Sequence, residues 1–146
     1  MRCRPVRARD AERLALLDAR CFSADTAYSR DVMDAILRHP GSLGFAIEDS
    51  TGIRAFVLGA SSGKTGEIIT IDVSPGHRRR GLGTRLMAAL QNRLRSRGVE
   101  DLYLQCSVEN RRALCFYWKQ GFRVVQRLPD YYKPGSDAFL LLKSPL

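Results

Sequence analysis

The chain has 146 residues, 45% of them apolar and 27% charged, and a formal net charge of +9. That length and apolar share fit one domain with a real core and exclude a disordered chain. The excess of 24 basic over 15 acidic side chains points to acidic partners: nucleic acid, ribosomes, an anionic membrane surface or a polyanionic cofactor.

The N-terminal Met1-Arg-Cys-Arg-Pro5 is too polar for the apolar region of a signal peptide. Residues 2–7 can form a short edge strand. Residues 8–21 show helical spacing, with Asp10 as the expected N-cap. Phe22 to Tyr28 is a loop of small and polar residues. Ser29 or Asp31 can cap a second helix through Arg38, which His39-Pro40-Gly41 ends. Strands are expected at Leu43–Glu48 and Ile53–Gly59, joined by a hairpin turn over Asp49–Gly52. Residues 60–66 read as a flexible loop, and Glu67–Val73 as a strand. Leu82, Leu86, Leu90 and Leu94 mark one face of a helix over 82–97, and Gly98 stops it. Leu102–Ser107 is the next strand. Asn110 caps a helix that runs to Gly121. Two last strands, Phe122–Arg127 and Ala138–Leu142, are joined by a loop from Pro129 to Gly135.

There are no internal repeats and no linker, so residues 1–146 read as a single domain. The order strand-helix-strand-helix-strand in the second half predicts an α/β (α+β) fold, a mixed sheet with helices on both faces. No run approaches the ~18 apolar residues needed to cross a membrane. The four cysteines form no C-x-x-C pair and only two histidines exist, so no metal site is expected. Cys21, Cys106 and Cys115 sit in apolar sequence and read as small buried hydrophobes. A reducing, cytoplasmic setting is the expectation. The basic residues are mostly arginine and spread along the chain. That argues against nucleic acid as a partner except through a ribosomal context.

Two stretches carry the glycines and basic residues of a phosphate site, and only one has the right spacing and context. Gly59-Ala-Ser-Ser-Gly63-Lys64-Thr65 has three residues between its glycines where a P-loop needs four, and a strand follows it instead of a helix. It reads as a loop with an exposed lysine. Residues 67–90 are different. The apolar strand Glu67–Val73 ends in Ser-Pro75-Gly-His-Arg78-Arg79-Arg80-Gly81-Leu82-Gly83-Thr84, which opens directly into a helix. Backbone N–H groups and the positive end of the helix dipole converge there. The arginines add fixed charge suited to phosphate. Gly81 and Gly83 let a ligand approach the backbone closely.

The pattern V-x-P-x-x-R-x-x-G-x-G-x-x-L, here Val73, Pro75, Arg78, Gly81, Gly83 and Leu86, resembles the acetyl-CoA motif of the GNAT superfamily of N-acetyltransferases. A second block agrees: Asn110, Ala113, Phe116, Tyr117, Gly121 and Phe122 resemble the family's N-x-x-A-x-x-F-Y-x-x-x-G-F helix. With the segments between them, the two blocks cover residues 67–123. The resemblance implies the single-domain GNAT fold, with a mostly antiparallel mixed sheet flanked by helices, and acetyl-CoA as the donor. It also implies that the backbone of Ile71 and Val73 pairs with the pantetheine arm. Arg78, Arg79, Arg80, Gly81, Leu82, Gly83 and Thr84 would then hold the pyrophosphate, with Asn110 at the cofactor side. Transfer would be direct, without an acyl-enzyme.

Tyr117 is the implied donor of a proton to the departing thiolate; the plainer reading is a core aromatic, like Phe116 and Trp118 beside it. Glu67 is the implied base, and strict alternation would place it on one face with Ile69, Ile71 and Val73, with Asp72 on the other in a structural contact. The plainer reading of Glu67 is a solvated strand end. A neighbouring-strand position that holds Glu or His in several N-terminal acetyltransferases is Gln105 here, which cannot act as a base. An α-amine has a pKa of about 8 and lysine about 10.4, so one weak base suits an α-amine better.

Arg127, Asp130, Tyr131 and Tyr132, followed by Asp137 and Ala138, resemble a segment of protein N-terminal acetyltransferases, including those acting on ribosomal-protein termini. That implies a peptide groove walled by Tyr131 and Tyr132 on one side and by the loop from Phe22 to Tyr28 on the other. The acceptor would be a protein or peptide N-terminus. Two other readings stay open: a GNAT acting on a small amine or a lysine side chain, and a non-catalytic basic module that binds nucleic acid or ribosomes.

Overall fold

A computed structural model describes all residues from Met1 to Leu146. Seven strands form one sheet in the order β1-β2-β3-β4-β5-β7-β6. In chain order these are β1 (Arg2–Pro5), β2 (Ser42–Asp49), β3 (Gly52–Ser62), β4 (Thr65–Val73), β5 (Asp101–Ser107), β6 (Arg123–Lys133) and β7 (Ser136–Lys143). The helices are α1 (Ala11–Cys21), α2 (Arg30–Arg38), α3 (Leu82–Ser96) and α4 (Arg111–Lys119). All neighbouring strands pair antiparallel except β4 and β5.

The sheet divides two cores. On one face α3 buries Leu82, Leu86, Met87, Leu90 and Leu94 against Val57, Ile68, Leu102 and Leu104, and Tyr117 and Phe122 extend this core. On the other face Leu14 and Leu17 of α1 and Met33 of α2 pack on Ala46, Phe56 and Leu58. Burying one such leucine side chain stabilises the fold by about 1.5–3 kcal/mol.

Local capping signals in the sequence act as expected in two places. Ser29 accepts the N–H of Val32 at 3.2 Å, so Ser29 and not Asp31 caps α2. Asn110 accepts the N–H of Ala113 at 3.2 Å and caps α4. Asp10 behaves differently. It makes no cap bond to α1; it accepts the N–H of Arg7 at 2.8 Å and both terminal nitrogens of Arg4 at 2.9 Å. A fully buried carboxylate needs a cation, and Arg4 supplies it.

Two expected loops are shorter or more regular. Residues 60–66 form the end of a hairpin in which Ser62 pairs with Thr65, leaving only Gly63 and Lys64 as the turn. Gly63 has φ +59°, which a tight two-residue turn requires. The segment 129–133 belongs to β6, irregularly paired between Leu128 and Lys133. Tyr131 and Tyr132 therefore stand on a bulged strand end rather than in a free loop. Two packing expectations also change. Cys115 is exposed, and Trp118 is 60% exposed, stacked under the Arg123 guanidinium at 5.2 Å.

The largest departure from simple alternation lies in β4. Leu58 pairs with Thr70, but the next β3 residue, Gly59, pairs with Ile68, so Ile69 is an extra residue. This β-bulge flips the faces. Glu67 and Ile69 face α1 and α2, as do Thr70 and Asp72, which stand opposite Leu58 and Phe56. Ile71 and Val73 face α3. Glu67 is thus on the side of Asp72 and opposite Ile71 and Val73, contrary to the strict-alternation reading.

Leu90 is fully buried in the centre of α3. Leu90→Ala is expected to lower unfolding free energy by about 2–5 kcal/mol. Urea titration would show a drop of under 1 kcal/mol if the α3 face were loosely packed.

Candidate active site

β4 and β5 pair at only three positions, Thr65–Asp101, Gly66–Leu102 and Glu67–Tyr103. Beyond these, β4 continues to Val73 and β5 to Ser107 with no ladder between them. The bulge bends β4 away, and the facing strand edges are left open. A cleft of about 1020 Å³ occupies the gap. It is large enough for a ligand well beyond a single metabolite fragment.

One end of the cleft is built by the turn into α3. Arg79, at φ +64°, and Gly81, at φ +77°, are both left-handed. For Arg79 that conformation costs about 1–2 kcal/mol, a strain that tends to mark functional turns. Gly81 offers no side-chain cap, and the first helical bond runs from the Arg85 N–H to the Gly81 carbonyl. The N–H groups from Arg78 to Thr84 therefore have no acceptor within the chain. Seven adjacent donors at a helix start make an anion cradle. Gly83 closes the approach of α3 to α4, since a Cβ there would meet the Phe116 ring at 3.4 Å. His77, Arg78, Arg79, Gly81, Leu82, Gly83, Thr84 and Asn110 all line the cleft. Arg80 does not; it is exposed outside it. Arg78 also braces the turn, its Nε donating to the Val73 carbonyl at 3.2 Å.

The opposite wall is aromatic. Phe22, Tyr28, Tyr131 and Tyr132 line it. Tyr131 and Tyr132 meet edge to face with centroids 4.9 Å apart. Lys133 of the hairpin reaches Asp25 of the α1–α2 segment at 3.4 Å, so the two sides touch across the mouth. Burial raises the Tyr28 hydroxyl above its ordinary pKa.

Tyr117 projects from α4 into the floor and is almost wholly buried. Its ring sits edge-on to Phe116 at 5.5 Å and Phe122 at 5.9 Å. Burial pushes its hydroxyl far above the tyrosine range, so it stays protonated and cannot act as a base. The same burial pushes the Cys106 thiol up to about 11, and Cys21 is also raised by burial. Neither cysteine is a thiolate at neutral pH, as a nucleophile must be. Glu67 lies outside the cleft lining, at the last paired position of β4. Its carboxylate stands beside the Tyr103 hydroxyl and raises that group's pKa.

A pair of carboxyls in the wall carried no sequence signal. Asp18 of α1 and Asp72 of β4 are 1% and 2% exposed, and both border the cleft. Asp18 Oδ2 accepts the Tyr28 N–H at 2.7 Å, and Asp72 Oδ1 accepts the Thr70 hydroxyl at 2.7 Å. Their other oxygens have no partner. Burial, and then the neighbouring Asp18, push Asp72 up to about 9. A proton held by Asp72 and donated to Asp18 satisfies both orphaned oxygens, because two adjacent buried carboxylates cannot both ionise. The sequence marks Asp72 only as a structural contact, because the bulge that turns it toward α1 shows only in the register with β3.

The chain matches the acetyltransferase (GNAT) family over residues 11–122, and it belongs to that family. An N-alpha-acetyltransferase of Sulfurisphaera tokodaii is 37% identical over 79 residues, 53% of this chain and 47% of that protein. N-alpha-acetyltransferase 60 of Drosophila melanogaster is 34% identical over 102 residues, 66% of this chain and 36% of the fly protein. The chain spans about half the length of most of the curated relatives it matches. The ribosomal-protein-S18-alanine N-acetyltransferase of Escherichia coli superposes with a TM-score of 0.89 at 21% identity, covering 99% of this chain and 93% of that chain. Ard1 of Thermoplasma volcanium gives 0.86 at 22% identity, covering 99% and 97%. These two likenesses establish the fold.

The Asp72 proton has a measurable consequence. The folded pKa lies above the unfolded carboxylate value of about 3.9, so the folded state binds the extra proton. The resulting stability is complete below the unfolded value and is lost as pH rises toward about 9. Asp72→Asn keeps a donor toward Asp18 without a proton to lose. Thermal melts should fall with pH in the wild type and stay flatter in the variant. Parallel profiles would refute the shared proton.

Proposed function

We propose that the protein transfers the acetyl group of acetyl-CoA to the N-terminal α-amine of a protein or peptide, by direct attack in a ternary complex. The observation that carries this reading is the open β4 edge between an anion cradle and an aromatic groove. The cradle from Arg78 to Thr84 suits a pyrophosphate, since its donors are backbone N–H groups with no other partner. The free edge at Ile71 and Val73 suits the amide-bearing pantetheine arm, which pairs there as an added strand. One of those N–H groups then polarises the thioester carbonyl, a contribution of about 3 kcal/mol for one well-placed donor. The relatives named N-alpha-acetyltransferase support the choice of acceptor.

The reaction balances without an acyl-enzyme. The neutral amine attacks the thioester carbon, the C–S bond breaks, and Tyr117 gives its proton to the departing thiolate. The raised thiols of Cys21 and Cys106 favour this direct course. Glu67 lies outside the cleft lining but close enough to the acceptor-wall Tyr28 to act on its hydroxyl, so it takes the amine's proton through intervening water rather than by contact. Phe22, Tyr28, Tyr131 and Tyr132 hold the first residues of the acceptor, rings against side chain and hydroxyls toward backbone. The free thiols of all four cysteines suit a reducing compartment such as the cytoplasm.

Release of free coenzyme A against a peptide panel tests the reading. Turnover is expected with free N-termini and not with blocked N-termini carrying a free lysine. Turnover on lysine or small amines alone would overturn it. Tyr117→Phe should lower kcat about 10²-fold or more with KM for acetyl-CoA unchanged. Glu67→Gln should lower turnover at neutral pH and leave acetyl-CoA binding intact. A profile identical to wild type from pH 6 to about 9 would remove Glu67 as the base.

A further inference from the structure

Far from the cleft, at the β1 edge of the sheet, the chain gathers arginines that the sequence scatters. A depression of about 290 Å³ is lined by Arg2, Arg4, Arg7, Arg9 and Arg13, with only Asp10 and Glu48 among them and no apolar side chain. Its floor is rigid. Arg4 is 12% exposed and is clamped by Asp10 at 2.9 Å and by Glu48 at 2.9 Å. Asp10 also fixes the Arg7 backbone, the start of the turn that carries Arg7 and Arg9. Both carboxylates are thus consumed by Arg4. The side chains of Arg2, Arg7, Arg9 and Arg13 have no ion-pair partner and stand exposed around the rim.

Four like charges around one concavity, with both neighbouring carboxylates already taken by Arg4, make a local positive field that an anion can meet. Guanidinium forks pair bidentately with phosphate oxygens. The absence of any apolar lining disfavours a lipid surface, where binding also buries apolar area. Four rim charges can each meet a separate phosphate, which a repeating phosphodiester supplies and one isolated anion does not. The strand order puts β1 at the edge and the cleft between β4 and β5, so an occupant here leaves the cleft open.

We propose that the arginine-rimmed depression at β1 and the start of α1 docks the phosphate backbone of RNA, independently of the acetyl-transfer reading. Contact through phosphates is sequence-tolerant and strongly salt-dependent.

The test is fluorescence anisotropy of a labelled single-stranded RNA across a salt series. A variant carrying Arg2→Ala, Arg7→Ala, Arg9→Ala and Arg13→Ala is compared with one carrying Arg20→Ala, Arg30→Ala, Arg97→Ala and Arg111→Ala, which removes the same charge elsewhere. The rim variant should reduce the slope of log K against log salt by about 3, about 0.7 for each lost phosphate contact. The control should change it by less than about 1. Equal losses in both variants would mean diffuse attraction only and would overturn the site. Polyglutamate or anionic vesicles displacing RNA at matched charge would also overturn the RNA assignment. Arg9→Glu alone, on a fold verified by its melt, guards against misfolding and should weaken binding more than Arg30→Glu does. Coenzyme A release on free peptides should not change in the rim variant, which separates this site from the cleft.

Discussion

Everything at the cleft depends on the parting of β4 and β5 after three paired residues. A continuous sheet would satisfy those backbone groups internally and leave nothing for a ligand. The bulge at Ile69 both bends β4 and turns Thr70 and Asp72 toward α1. The same insertion therefore opens the edge at Ile71 and Val73 and builds the acid pair with Asp18. The two cores hold the parted strands: α3 supports one face of β4, and α1 supports the other.

Charge is distributed with the same economy. At the α3 turn, unpaired backbone donors and His77, Arg78 and Arg79 make one end of the cleft an anion site. On the α1 side, buried carboxyls and tyrosines make the wall neutral or acidic instead of basic. Burial rather than charge sets the titration of these groups: it keeps the Tyr117 hydroxyl protonated and keeps Cys106 from ionising. Elsewhere, Arg4 absorbs Asp10 and Glu48, which leaves the rim arginines unmatched.

Signals confined to a few residues were legible in the sequence. Ser29 and Asn110 cap because a short polar side chain can reach an N–H three residues on. The Arg-Gly turn announced its geometry because only a positive φ at Gly81 lets the strand feed that helix. Features fixed by distant residues left no local signal. No pattern in β4 reveals an extra residue whose evidence is the register with β3. Asp18 and Asp72 are 54 positions apart and meet only because α1 lies across the bulged strand. Tyr131 and Tyr132 looked like loop residues because Pro129 and Gly135 punctuate them, yet pairing with β7 carries the strand to Lys133. Trp118 looked like core by residue type, but its position on α4 faces outward under Arg123. The arginines of the first thirteen residues looked diffuse until β1 and α1 curled them around one depression.

Amide hydrogen exchange with and without coenzyme A tests the central account most directly. The amides of Ile71 and Val73, together with those from Arg79 to Thr84, should slow on binding, while residues 2–13 stay unchanged. Protection confined to other segments, or none at saturating coenzyme A, would contradict the claim that the open edge of β4 and the α3 turn form the donor site.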